Sequence, residues 1–410
     1  MDVSHAKYDI AIVGAGASGM VAAIVSARAG ARVCLIENNP RVGRKILETG
    51  NGRCNLSHTP IDGSEYRGSG ADRMAGYLAR FGVAETLDFF KGIGLITRER
   101  DGYLYPYSET ASAVLDVLRF TIDDLEIDVY TDNRIEDVRR TEEGFILSDI
   151  HADRVILCTG GAADPASGSD GSGFDIARDL GLKVNEPLPA LVKVRTDDPG
   201  SMAVTAGVRA KGSVAVLTDH CIASDSGEIQ FTKDGLSGIP VFNVSRYISC
   251  ALRGGDKVRI VLDLMPGTDA REIEEYISAR ISGVISDERS VEEVLTGLLH
   301  KKINTYICRR AGININAPAV RLNSDQIHRY ASMVKTLEYG VTSTYGFDQA
   351  QVTCGGVDFA EVDDDLQSIS LPGLYLAGEI MDIDGPCGGY NLQWAWTSGY
   401  IAGSSAAAGR

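Results

Sequence analysis

Three polar, glycine-rich stretches, far apart in the chain, hold the residues able to do chemistry. The first is Gly14-Ala15-Gly16-Ala17-Ser18-Gly19, a G-x-G-x-x-G. Gly14 permits a tight turn, Gly16 lets the backbone approach a pyrophosphate, and Gly19 lets helix and strand pack closely. Ala17 and Ser18 complete the turn, and the helix after it offers free N–H groups and a positive dipole end to phosphates. Glu37, 18 residues past Gly19, can accept both ribose hydroxyls, and its charge repels a 2′-phosphate. The second stretch runs from Asn38 to Asn55 and includes Arg44, Lys45, Gly50, Asn51, Gly52, Arg53 and Cys54. It reads as a long loop, too polar and Gly-rich for a core. It suits a backbone folded over a polar cofactor, its amides facing a ring system. A solvent-exposed basic loop is the plainer alternative. The third stretch holds Gly378, Glu379, Asp382, Cys387, Gly389, Tyr390, Asn391 and Leu392. There a Gly-Gly turn opening a helix offers a second place for partial negative charge.

The surrounding elements must position these residues. Tyr8 to Val13 reads as a strand, Met20 to Ala29 as an Ala-rich helix, and Ala31 to Ile36 as a second strand ending at Glu37. That strand–turn–helix–strand order is the context the fingerprint requires. A further strand, Arg154 to Leu157, ends in Cys158-Thr159-Gly160-Gly161, and Gly168 to Phe174 opens an amphipathic helix over 174–181. Neither carries a second complete fingerprint, so no separate nicotinamide-binding Rossmann domain is expected. Ser370 to Glu379 reads as a turn and buried strand ending in an acid, and Tyr390 to Gly403 as a helix of small residues. In a flavoprotein one helix dipole serves the pyrophosphate and another the pyrimidine edge of the isoalloxazine, which becomes anionic on reduction. Two such helix starts at opposite ends of one chain argue for one extended ligand, FAD.

In the middle, Val192–Arg195, Ser213–Leu217 and Val258–Leu262 are alternating or β-branched runs between Gly and Asp turns. They predict a small antiparallel sheet or barrel. From Asp269 to about Leu337 apolar residues recur at helical steps, as in Ile273, Tyr276, Ile277 and Ile281. Four helices of this kind predict a cap. The expected organisation is a first part of an FAD domain at 1–190, an insert at 191–339 (β-rich to 265, helical after it) and a second FAD part at 340–410. The fold class expected is α/β: a discontinuous Rossmann-like FAD domain with an inserted barrel-like and helical domain. Substrate is expected at the junction of insert and flavin, where clefts form.

These motifs carry a family resemblance. GAGASG at 14–19, GRKILETGNGRCN at 43–55, CTGG at 158–161, GSDGSGF at 168–174, GEIQFTKDGLSG at 227–238 and LPGLYLAGEIMDIDGPCGGYNLQWAWTSG at 371–399 resemble the BaiN-like flavoproteins, within the glutathione-reductase-like group of FAD enzymes. They span nearly the whole chain in the family's order. The resemblance implies a non-covalent FAD and a discontinuous FAD domain with an inserted domain. It also implies reduction of conjugated carbon–carbon double bonds in steroid-like 3-oxo bile acids.

Composition narrows the field. Lys+Arg is 40 against 56 Asp+Glu, a net charge of −16, which argues against nucleic acid as the main partner and against anionic lipid. No apolar run is long enough for a membrane span. The start lacks the basic segment and apolar core of an export signal, so a cytoplasmic location is expected. The eight cysteines form no C-x-x-C pair, and the six scattered histidines form no metal motif, so no metal is expected.

The catalytic candidates are Arg53, Cys387 and Tyr390. Arg53 and the neighbouring amides suit a carbonyl or carboxylate; the structural alternative pairs Arg53 with Glu379 or another acid. Cys387, and Cys354 before Gly355-Gly356, stand near Gly-Gly turns as proton donors or merely as small buried residues. Tyr390 is a proton donor or packs on the flavin. The first reading is an FAD-dependent, NAD(P)H-linked reductase of a conjugated double bond in a small hydrophobic substrate, with the nicotinamide a transient donor. An FAD oxidase of a small amine or alcohol, and a redox-sensing flavoprotein without catalysis, stay open beside it.

Overall fold

The computed structural model describes residues 7–283 and 289–409, and everything below concerns these. The chain divides into two compact units, Met1–Pro189 with Ala350–Arg410, and Ala190–Gln349.

The first unit is built on a seven-stranded sheet. Lys7–Val13 lies between Val33–Ile36 and Ile150–Leu157, parallel to both. Asp128–Tyr130 extends one side in parallel, and Leu374–Leu376 pairs in parallel with the end of Ile150–Leu157. The central strands are buried almost throughout, as parallel strands covered on both faces must be. The covering helix Ala17–Arg28 packs on the long helix Tyr390–Ala408. Gly399 and Gly403, one turn apart, make that contact close: a Cβ at Gly403 would stand 2.7 Å from the carbonyl oxygen of Ala22. The hydroxyl of Ser26 donates to the Gly403 carbonyl at 3.0 Å.

The stretch read as a loop over 38–55 is partly helical. Arg44–Glu48 is a short helix with Ile46 buried, and a tight turn follows at Thr49–Gly52. One buried apolar side chain in five residues is too short a signal for periodicity to register. Residues 56–136, unassigned from sequence, contribute helices and a small antiparallel sheet of Ser57–His58, Tyr103–Pro106 and Thr97–Arg100.

The second unit holds a closed six-stranded barrel, in the order Val194–Thr196, Gly235–Ser237, Cys221–Phe231, Arg209–Leu217, Arg259–Asp263 and Leu337–Thr344. Four helices follow the strand Arg259–Asp263: Ala270–Ser282, Val291–Leu295, Lys301–Arg310 and Ser324–Lys335. Two expectations are corrected. The segment read as β-rich contains the 15-residue helix Ile239–Arg253, started by Gly238 and Pro240 and held by buried Val241, Val244 and Ile248. The segment read as helical ends at Lys335, because Leu337, Tyr339 and Val341 alternate as buried residues of the last barrel strand.

Candidate functional site

A long crevice runs through the first unit, reaching from the fingerprint turn to the start of the carboxyl-terminal helix. Its walls include Gly14 to Ser18, Glu37, Asn38, Arg44, Lys45, Thr159, Gly160, Glu379, Asn391 and Leu392.

The fingerprint glycines act as their spacing demands. A Cβ at Gly14 would run into the carbonyl of Cys158, and one at Gly19 into the carbonyl of Gly14. A Cβ at Gly16 meets no protein atom within 4 Å; that space belongs to the crevice. The helix Ala17–Arg28 has no side-chain cap and no acid in its first turn. The helix Tyr390–Ala408 starts the same way, behind Gly389 at φ 98°. Both positive helix ends are thus left without protein partners of opposite charge. The buried hydroxyl of Thr159, on the crevice wall, also lacks a hydrogen-bond partner. Uncapped helix ends and open space at Gly16 fit FAD, whose pyrophosphate and ring edge supply the missing partners.

Glu37 is buried and already engaged. Its Oε2 accepts the Ala15 N–H at 3.0 Å, and its Oε1 accepts the N–H and the side-chain amide of Asn39 at 2.9 and 2.7 Å. A carboxylate has about four acceptor positions, so one is left, fewer than acceptance of both ribose hydroxyls needs. Asn39, unremarked in the sequence, also bonds the Ser167 carbonyl and accepts from Arg44 at 2.8 Å.

Lys45 and Glu379 join the second and third polar stretches. The Lys45 ammonium lies 2.8 Å from Glu379 Oε2, with both side chains about a quarter exposed. The other oxygen of Glu379 accepts the Thr353 N–H at 2.7 Å. A Cβ at Gly161 would stand 2.8 Å from it, which gives that glycine its reason. Glu379 therefore pairs with Lys45, and not with Arg53, which is exposed.

Gly50, Asn51, Gly52 and Cys54 all have positive φ, and this run curls the backbone beside the crevice without lining it. Asn55 is buried with its carbonyl oxygen unpartnered. Burial pushes the Cys54 and Cys158 thiols up to about 12, so both stay protonated and unreactive at neutral pH. Cys354 is buried too. Cys387 is half-exposed, its sulfur 3.9 Å from the side-chain oxygen of Gln351.

Gly378 and Gly389 flank the crevice, each leaving room for a neighbour: Ser18 beside the first, Ser57 beside the second. Tyr390 opens the carboxyl-terminal helix, next to Asn391 and Leu392 of the crevice wall, and is not itself one of the lining residues. It stacks on His58, centroids 5.1 Å apart at 17°, with its hydroxyl 3.3 Å from His58 Nδ1. Tyr66 donates to its carbonyl at 2.8 Å. Burial and the nearby Glu65 carboxylate raise the Tyr390 hydroxyl above its usual range. Sequence reading named none of Asn133, Gln351, Thr353 and Trp394 as site residues: Asn133 comes from an unassigned stretch, Gln351 and Thr353 carry no local motif, and Trp394 lies within a recognised motif but is not one of its polar or glycine positions.

Fold and crevice define a Rossmann-type dinucleotide-binding protein with an inserted barrel. The family model of the HI0933-like protein Rossmann domain matches residues 8–405, and the chain belongs to that family. It is 40% identical to the 3-dehydro-bile acid delta(4,6)-reductase of Clostridium scindens over 97% of this chain and 98% of that one. It is 29% identical to the ribosomal RNA dihydrouridine synthase of Escherichia coli over 96% of each. A quinol-fumarate reductase structure superposes with a TM-score of 0.50 at 16% identity, covering 98% of this chain and 71% of that one; this speaks to the fold. The chain is thus an FAD-type oxidoreductase of the BaiN-like group. No described helix is long and apolar enough to cross a membrane, and no described cluster could hold a metal ion.

Proposed function

We propose that the protein is an FAD-dependent reductase of a carbon–carbon double bond conjugated to a carbonyl, in a hydrophobic steroid-like substrate, with NAD(P)H as donor. The observation carrying this reading is the 40% identity, end to end, to an enzyme that reduces such bonds in a 3-oxo bile acid. FAD, when bound, would supply the hydride for the carbon β to the carbonyl.

The chain's own residues hold and orient. Glu37 and Asn39 fix the adenosine end, and Gly16 with the helix start at Ala17 receives the pyrophosphate. Lys45, Glu379, Asn391 and Leu392 shape the far part of the crevice. Arg53, with Gly50 to Asn55, stands on the adjoining turn as a carbonyl-binding candidate. Tyr390 keeps its proton across neutral pH, as a donor to the α-carbon must; Cys387 is the alternative donor.

The Escherichia coli relative supports a second reading. A uracil ring also holds a double bond conjugated to a carbonyl, so the same chemistry could act on RNA. The charge of −16 weighs against a polyanionic substrate. Anaerobic stopped-flow separates the readings. Flavin bleached by NAD(P)H and recoloured by a 3-oxo-4-ene steroid supports the first. Recolouring only by uridine-containing RNA, with dihydrouridine formed, replaces it with the second. Flavin reduced by an amine or alcohol, with peroxide released, would make the protein an oxidase.

A further inference from the structure

The small sheet of the first unit carries a row of aromatic rings that leads to Tyr390 and lines no part of the cofactor crevice. On Tyr103–Pro106, Leu104 and Pro106 face the core, while Tyr103 and Tyr105 are half-buried. Just beyond, Tyr107 is 65% exposed. His58 pairs across the sheet with Tyr103. The rings touch in sequence: Tyr105 to Tyr103 at 6.5 Å, Tyr103 to His58 at 5.1 Å, and His58 to Tyr390 at 5.1 Å. Two glycines leave space for the row. A Cβ at Gly102 would stand 2.8 Å from the His58 ring, and one at Gly388 3.1 Å from Tyr103 and 3.4 Å from Tyr390. The row ends at Tyr390, immediately before Asn391 and Leu392 on the crevice wall.

We propose that this aromatic row seats the part of the substrate beyond its reacting ring, and that its ligand is a flat, uncharged, polycyclic skeleton. The inference rests on the reductase reading above. Rigid rings present apolar area at little entropic cost, and a fused-ring hydrocarbon matches them in flatness and polarity. Charge decides against a polynucleotide, the other ligand that stacks on exposed tyrosines. Arg98 and Arg100 cover Tyr107 and Tyr105, but both are committed to Glu109. Glu65 and Asp62 act on Tyr390 from the other end, and Glu99 and Asp101 stand in the strand and turn beside Tyr103. The row therefore lies in an acidic neighbourhood, which repels phosphates.

Calorimetry on the flavin-loaded protein tests this with two probes, a neutral four-ring 3-oxo-4-ene steroid and an oligouridylate. The steroid should bind, and Tyr105→Ala and Tyr103→Ala should each weaken it about tenfold. Tyr105→Phe, which keeps the ring, should bind as the wild type does. Flavin content serves as the folding control, and Tyr105→Phe keeps the comparison valid if an alanine variant loses flavin. Failure of the wild type to bind the steroid, equal affinity in the alanine variants, or oligouridylate binding weakened by the same substitutions would each overturn the proposal. Steroid that binds through the row with its double bond left intact would instead sink the reductase reading and leave the seat standing.

Discussion

Lys45 and Glu379, more than three hundred residues apart in sequence, meet at 2.8 Å on the crevice wall. The ammonium is also 3.5 Å from the hydroxyl of Ser169, so three polar segments converge on one cation. Lys45→Met leaves the Glu379 carboxylate beside the cofactor without its counter-charge. It should weaken FAD binding by about 1–3 kcal/mol, the range for a charged hydrogen bond. Reconstitution of the apoprotein, followed by flavin fluorescence, reads the change; wild-type affinity in the variant would remove the pair from the site.

Glu37 holds Ala15 and Asn39 and is proposed to meet the ribose, and its variants should separate the two roles. Glu37→Ala loses the ties to Ala15 and Asn39 as well as any ribose contact. It should weaken FAD retention by about 1–3 kcal/mol and lower the melting temperature of the apoprotein. Glu37→Gln keeps an acceptor and should lose less on both counts. Unchanged flavin occupancy in Glu37→Ala would refute the assignment.

The flavin should leave with acid. Neither Cys54 nor Cys158 beside the crevice is ionised at neutral pH. Trichloroacetic acid should release the yellow colour into the supernatant, and colour kept in the pellet would demonstrate a covalent bond.

Asp358 gives a pH signature. It accepts from Lys183 at 2.7 Å, from Asn185 at 3.3 Å and from the Ala360 N–H at 3.0 Å. The Ala360 amide first, and then Lys183, hold its carboxyl below the usual range. A depressed value means stability that is present above the unfolded-state pKa of about 3.9 and lost as pH falls through the folded-state value. Asp358→Asn should cost about 1–2 kcal/mol at pH 7, and its stability curve should converge on the wild type at a pH below the depressed folded-state value. Urea unfolding at both pH values checks this; parallel curves would contradict it.

Only one complete dinucleotide fingerprint stands in the sequence, and the FAD crevice uses it. Donor and acceptor should therefore visit the flavin in turn. Initial rates with both varied should give parallel double-reciprocal lines, whereas intersecting lines would mean a separate nicotinamide site.

The Rossmann part was legible because its signals are local. Strand, glycine turn, helix and acid fall within thirty residues, and each glycine has a steric reason visible in the spacing. The barrel was legible in its β-branched runs, but Ile239–Arg253 was not, since its apolar residues sit among strands of similar composition. At the site, side chains named for their type, such as Lys45 and Glu379, line the crevice. Their pairing was not legible, because it depends on how residues 45 and 379 are brought together. Asn39 and Thr353 were missed for the same reason: what they hold is distant or backbone.

The strand Ile150–Leu157 takes one parallel neighbour from residues 7–13 and another from residues 374–376. A ribosome adding about 5–20 residues per second needs roughly 20 to 70 seconds to pass from the first neighbour to the second. Through that interval the glycine turn exists while Glu379, Asn391 and Leu392 do not. Cofactor loading is therefore a late event in the protein's biosynthesis, and a nascent chain stalled in the barrel would carry half a crevice and no flavin.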